Sequence, residues 1–419
     1  MTYINIKSLL KVNKIKKIKI KNALLKINNV LGIILLFFGV FDTTRNYTLL
    51  PVSFGYLKDI AVYLLFILNI NKIKLKNPII TLITIVMVVI SPLGFLFNGL
   101  DVLEFAKYLM KYMEIPLLLL IFLNFKSIFS YNIKEYFKWY ILLALALSFI
   151  NVFGYFVPNK IVSVDLANAN MNRDMYKGRI TVGQPALAIF PVLFAYCYYL
   201  INCNKLKKIF LPLILLALIF ISTANTGIVA IIICSIIILL FSKNRHYIYI
   251  YLFSLLIISI VSLPFLISLI DVSMYTNKIL SIISGGNDPS VDYRIMHWIQ
   301  AFKNNDFLKY IFGSGAVGYI RNGDNFAIEN TYVLIFLCYG CIGAILFLIS
   351  IFKCLLKVFN LKKISTKNFI FLFCVIIIYL LHFITLDIFY CYMLYFPIGM
   401  YIAIYQDAKW NSLKMVKQQ

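Results

Sequence analysis

Charge is scarce in this chain, and acidic charge scarcer still. Only 13% of the 419 residues are charged, with 16 Asp+Glu against 40 Lys+Arg, while 62% are apolar. A soluble domain carries about 25% charge and about 45–50% apolar residues, so a large soluble domain is excluded. The motifs of several chemistries are missing too: there is no HExxH, no Walker loop, no GxSxG and no close aspartate pair of the DxD type. Their absence argues against a motif-borne metal centre, a nucleotide site or a serine hydrolase, and no metal and no cofactor are expected. No cysteine lies in a long polar loop, which excludes a disulfide framework. Cys338 and Cys341 have CxxC spacing but sit inside an apolar run, and read as packing.

What is present is hydrophobic length. At about 20 residues per span, the apolar content fills about twelve transmembrane helices. Runs broken by polar or lysine-rich segments place them near 30–42, 49–70, 78–97, 108–125, 138–157, 181–201, 207–223, 226–242, 247–270, 331–352, 368–386 and 388–406. The expectation is therefore an all-α polytopic membrane protein. The eight lysines before Val30 resemble a secretory n-region, yet no small-residue cleavage site follows the apolar run from Val30 to Phe41. Residues 1–29 read as a basic cytoplasmic leader ahead of a retained first helix. Spans one to nine occupy 30–270, an extracytoplasmic loop 271–330, spans ten to twelve 331–406, and a cytoplasmic tail 407–419.

The net charge of +24 would in a soluble protein suggest nucleic acid. Here the lysines concentrate in alternate loops, those holding Lys72, Lys74 and Lys76, Lys205 and Lys207, or Lys362 and Lys363. That pattern is the positive-inside rule, with both termini cytoplasmic and no nucleic-acid partner. The carboxylates run the other way, only Glu135 and Asp407 falling inside, so the outer face carries the polar chemistry. Two outer loops exceed turn length, Pro158 to Ile180 and Asp271 to Asn330, and long loops on a rigid scaffold are commonly functional.

Arginine breaks from lysine. Five of the six arginines fall outside, and only Arg245 inside. Topology does not distinguish the two cations, whereas the planar guanidinium fork matches phosphate oxygens in bidentate fashion. The outer arginines therefore suggest an anionic ligand such as a lipid-linked pyrophosphate. Pairing with neighbours is the alternative, since Arg173 adjoins Asp174, Arg294 follows Asp292 and Arg321 precedes Asp324.

Within the second long loop, DYRIMHWIQAFKNNDFLKYIF at 292–312 places Ile295, Trp298, Ile299 and Phe302 at helical spacing, for a helix lying on the membrane or the bundle. Arg294 and His297 share its other face; His297 is a base candidate or a partly exposed interfacial histidine. The following GSGAVG at 313–318 formally matches GxGxxG but lacks the βαβ context of a dinucleotide site, and reads as a glycine turn. The loop ends at Glu329 and Asn330, fixing a carboxylate at the membrane surface, where it is either a general base or a solvated side chain. In the first long loop, Arg179, Gly183 and Pro185 mark an irregular helix start whose free N–H groups can face an anion. Lys107, Lys111 and Glu114 share a face of the fourth span, and Lys58 and Asp59 lie within the second; a structural ion pair and ligand contact are the alternatives for both groups.

Three stretches, GRITVGQPALA at 178–188, YRIMHWIQAF with IFGSGAVG at 293–318, and ENTYVLIFLCYGCIGAILF at 329–347, resemble the O-antigen ligase and polysaccharide polymerase family of bacterial inner-membrane proteins. The resemblance implies about twelve spans with a long outer loop late in the chain, a multi-pass position in the bacterial cytoplasmic (inner) membrane, and transfer of glycan from an undecaprenyl-pyrophosphate carrier to an acceptor sugar at the outer face, without metal or nucleotide cofactor. It assigns Arg179 and Arg294 to the pyrophosphate, with Arg173, Arg321 and Lys111 as further anion contacts. Glu329 or His297 would be the base, and Tyr293, Trp298 and Asn330 would contact sugar. Ligases of the family carry His-Asn where this chain has Glu329 and Asn330, which favours a polymerase; Gln184 and Ala186 replace asparagines expected around Pro185. Chain-length regulator and flippase proteins are the implied partners. A flippase or other transporter is a rival reading, but no repeated halves are visible.

Overall fold

The computed structural model describes residues 3–41, 55–74, 77–85, 102–156, 185–203, 210–221, 225–242, 246, 248–253, 289–303, 307–314, 330–363, 365–385 and 395–407. Every regular element among them is helical: α1 Tyr3–Phe41, α2 Gly55–Leu68, α3 Pro78–Thr84, α4 Val102–Leu123, α5 Phe125–Ile128, α6 Ile133–Phe156, α7 Pro185–Ile201, α8 Phe210–Ile221, α9 Asn225–Phe241, α10 Pro289–Lys303, α11 Phe307–Phe312, α12 Thr331–Leu361 and α13 Thr366–Thr385. Residues 395–407 are helical as well, beside one 3₁₀ turn at Ile70–Lys72.

Three segments are long and apolar enough to cross a bilayer by length and composition, Lys19–Val40, Thr331–Leu361 and Thr366–Ile384. The chain is thus a membrane protein, all-helical in its regular elements among the described residues. Its helices show why they need lipid. On α12, Ile345, Leu348, Phe352, Leu356 and Phe359 recur along one exposed stripe, while Gly343, Phe347, Ser350 and Val358 are buried. A helix apolar on both its packed and its open face is stable only where the open face meets hydrocarbon. On α9 Val229, Ile232, Ile236 and Leu240 form the same open stripe.

α1 runs unbroken from Tyr3 to Phe41, through the lysine-rich residues expected as the leader and on into the apolar run. Its first glycine is Gly32 and it holds no proline, so nothing in the lysine-rich stretch stops the helix.

At one end of the bundle, buried amides tie helix ends together. Asn28 and Asn69 exchange two amide hydrogen bonds of 3.0 Å, and Asn28 also donates to Ile128 O at 2.9 Å. Asn124 Oδ1 accepts from Lys74 N at 3.0 Å, and Lys126 pairs with Asp407. Asn29 donates to Ser130 Oγ at 2.6 Å. In hydrocarbon or beside it, each such group unpaired would cost far more than paired. Above this knot Phe122, Phe125, Phe129, Tyr136 and Phe396 form an aromatic cluster, with Phe122 and Phe396 edge to face at 5.1 Å. Gly32, Gly39 and Gly399 seat its rings: a Cβ on Gly39 would lie 2.5 Å from Phe396, and one on Gly399 2.3 Å from Phe122. Small residues let membrane helices approach this closely.

The charges inside the second and fourth spans meet. Lys58 Nζ on α2 lies 3.2 Å from Glu114 Oε1 on α4 and 3.7 Å from Asp59. Lys58 and Glu114 are 6% and 5% exposed. Beside them the Tyr63 hydroxyl donates to Met110 O. Breaking such a pair from one side strands a buried charge, at about 3–5 kcal/mol. We therefore expect Lys58→Met to lower the melting temperature of the detergent-solubilised protein strongly, and Lys58→Met with Glu114→Leu to recover most of the loss. Equal melting for the single and double variants would dismiss the pair.

Candidate functional site

The end of the bundle away from the amide knot is organised by two glycines. α11 stops at Phe312, where Gly313 takes φ +80°, and within α12 Gly340 takes φ +62° and ψ −169°, breaking the helix. The two breaks are pressed together. A Cβ on Gly313 would lie 2.2 Å from Cys338 O, and one on Gly340 2.2 Å from Ile311 O. Only glycine meets both demands, positive φ and backbone against backbone.

A broken helix in a membrane frees carbonyls that must find donors. Leu337 O finds two: Ser314 N at 2.9 Å and Ser314 Oγ at 3.0 Å. Phe336 adds an apolar contact, its ring 5.6 Å from Phe302 and 6.3 Å from Tyr310. Gly313, the first residue of the expected glycine turn, thus takes positive φ and holds α11 to α12, while residues 315–318 lie outside the described residues. The sequence reading did not include the break at Gly340, because a lone glycine in an apolar run signals nothing by itself.

α12 begins about two turns before this stitch. Asn330 caps it, Oδ1 accepting from Val333 N at 3.0 Å, while Nδ2 donates to Ile384 O at 3.1 Å. Asn330 is 6% exposed, so its side chain is committed to holding α12 against α13. Tyr332 strengthens the same seam, donating to Leu380 O at 3.1 Å. Asn330, held in this way, is the residue to which the resemblance gives a sugar contact. Glu329 precedes it and lies outside the described residues, as do Arg173, Arg179 and Arg321.

α10 rotates differently from expectation. Ile295, Met296 and Ile299 are 41–61% exposed, whereas His297 is 8% exposed. Trp298, Ala301 and Phe302 pack against the core. His297 is therefore no partly exposed interfacial side chain: the helix turns it inward, and gives the outward stripe to residues suited to lipid. Arg294 and Tyr293 stand on the same helix, and Lys111 on α4. α7 starts at Pro185, at the irregular start expected there, where proline fits the first helical position.

A third histidine escaped sequence reasoning. His382 on α13 is 1% exposed, its Nδ1 lies 2.7 Å from Ile378 O, and its ring sits 4.5 Å from that of Phe190 on α7. It lies two residues from the carbonyl that Asn330 holds. The run TKNFIFLFCVIIIYLLHFIT hid it, since periodicity reads such a segment only as a span.

The family model described as O-antigen ligase matches residues 209–348, which contain α8 to α11, the glycine stitch and the first half of α12. No curated protein matches the chain. The match supports the resemblance read from the sequence, to the O-antigen ligase and polymerase family.

The stitch predicts a graded series. Gly313→Ala and Gly340→Ala each force a Cβ against backbone and should destabilise by more than about 2 kcal/mol, beyond the left-handed penalty alone. Ser314→Ala keeps its N–H bond to Leu337 O and should cost only about 1 kcal/mol. Thermal melts in detergent and limited proteolysis after residue 313 would read this order; a Ser314→Ala variant as unstable as the glycine variants would refute the backbone contact.

Proposed function

We propose that the protein is a polysaccharide polymerase, transferring glycan from an undecaprenyl-pyrophosphate carrier to an acceptor sugar at the outer face of the cytoplasmic membrane. The observation that carries the reading is the match at 209–348, which coincides with the unit of spans, amphipathic α10 and stitched α12. The same match supports an O-antigen ligase equally well. Glu329 in place of the ligase's histidine favours the polymerase.

In this reading about twelve spans cross the membrane with both termini inside. The amide knot fits that topology, since it gathers Asn28, Asn69, Lys74, Asn124, Ser130 and Asp407, from the first helix, two lysine-bearing loops and the last helix, at one end. Residues 271–330 then form the outer loop, held on its span by Gly313 and Gly340.

The chemistry breaks the bond between the sugar's anomeric carbon and the pyrophosphate oxygen, and forms one to the acceptor hydroxyl oxygen. Arg179 and Arg294 neutralise the departing pyrophosphate, with Arg173, Arg321 and Lys111 as further cations. Glu329 takes the hydroxyl proton, or His297 does from its buried position on α10. Trp298 and Tyr293 offer faces for sugar rings. The open apolar stripe of Ile295, Met296 and Ile299 suits the lipid around the carrier. Chain-length regulator and flippase proteins would act beside it.

The test is the size distribution of surface glycan and carrier-linked glycan in a strain lacking the protein, complemented with variants. Loss of long chains with single units gathering on the outer face supports the polymerase. Long chains left on the carrier mean a ligase, and units trapped inside mean a flippase. Arg179→Ala with Arg294→Ala should abolish chain growth and Glu329→Gln should cut it by about 10²–10⁴-fold, the usual worth of a general base; retained polymerisation in the double arginine variant would overturn the site.

A further inference from the structure

Far along the chain from the glycine stitch, three cysteines meet inside the bundle. Cys197 on α7, Cys234 on α9 and Cys374 on α13 bring their sulfurs within 4.8 Å of one another. Each is at most 1% exposed, and none is in a disulfide. The thiols of Cys234 and Cys374 face each other's backbone, Cys234 Sγ 3.7 Å from Cys374 O and Cys374 Sγ 3.9 Å from Cys234 O. Ala or Val would fill such a position without turning lone pairs towards one another. The CxxC pair behaves differently, Cys338 buried and Cys341 exposed, so sequence spacing pointed away from the cysteines that converge.

A second polar cluster lies at the same level. The Tyr251 hydroxyl donates to Tyr196 Oη at 3.0 Å, and Tyr196 Oη lies 2.7 Å from Ser235 Oγ. Tyr196 adjoins Cys197 and Ser235 adjoins Cys234 in sequence, and Tyr251 is within electrostatic reach of Cys197. These hydroxyls bond to one another and not to the sulfurs, and they bring polar groups next to the thiol-bearing positions of an otherwise apolar interior. The helices that carry the thiols are also anchored close by: Lys367, two turns before Cys374, donates to Asn202 just beyond Cys197 at 3.3 Å.

We propose that Cys197, Cys234 and Cys374 form a trigonal sulfur site for a soft monovalent cation of the copper(I) type, inside the membrane-embedded bundle. Soft thiolates select copper(I) or zinc among biological metals. Zinc asks for a fourth ligand in a tetrahedron, and the described residues place only these three together, whereas copper(I) accepts three sulfurs in a plane. Uptake releases thiol protons to water as the thiolates form, with no change of oxidation state. The bound ion fastens α7, α9 and α13 to one another, which makes it structural and separate from glycan transfer.

The experiment uses the full chain, purified in detergent under anaerobic reducing conditions and titrated with copper(I) against a chromophoric chelator. One equivalent should be retained per chain. Cys234→Ser should abolish retention, Tyr251→Phe should weaken it by about tenfold or more, and Cys341→Ser with Cys354→Ser should leave it unchanged. X-ray absorption of the loaded wild type, which needs no variant to fold, should show three sulfur neighbours and no nitrogen or oxygen. No retention by the folded wild type, retention that follows Cys341 or Cys354, or preference for zinc over copper(I) would each overturn the proposal. Loss of glycan activity without loss of copper would bear only on the proposed function.

Discussion

A single backbone contact organises one end of the helical bundle: Gly313 against the Cys338–Tyr339 peptide, and Gly340 against Ile311. A helix broken inside a membrane is tolerable only if its freed carbonyls are satisfied, and Ser314 does this for Leu337. Through that contact two short helices outside the spans become rigid attachments of a long one. A group on α10 then has a fixed position relative to α12, the condition under which a loop can carry chemistry.

The other end of the bundle is fixed by different means. Asparagine amides and the Lys126–Asp407 pair bind helix ends where lysine density is high. Between the two ends the core is aromatic and aliphatic, with glycine seats for the larger rings. Several of the polar groups between them, among the described residues, meet one another: Lys58 with Glu114, Tyr196 with Ser235 and Tyr251. Such pairing follows from the solvent, since hydrocarbon offers buried polar groups no partners of its own.

Legibility differed by residue type. Pro185 and Gly313 acted locally, by fixing φ or permitting positive φ, and both appear where sequence placed a helix start and a turn. His297 reads as a base candidate or a partly exposed interfacial histidine, and because α10 carries apolar residues on two sides, only packing shows that its side is the buried one. Asn330 reads as a sugar contact by the resemblance, and nothing in the sequence signals the hydrogen bond to Ile384 O across the bundle that, with its cap on Val333 N, makes it a clasp. His382 and the three converging cysteines gave no signal, lying in runs whose only periodic message is apolar length.

The sequence by itself determined that this is an all-helical membrane protein, because composition sets the solvent and helix formation is satisfied within each segment. It also marked the loop helix and its glycine turn, and the likeness to O-antigen ligases and polymerases. Tertiary structure alone decided that Gly340 breaks a span, that Lys58 meets Glu114, and that Cys197, Cys234 and Cys374 share one point. The reason is that helix-to-helix contacts in lipid depend on which face of each helix turns inward. Where both faces are apolar, close packing makes that choice rather than any pattern along the chain.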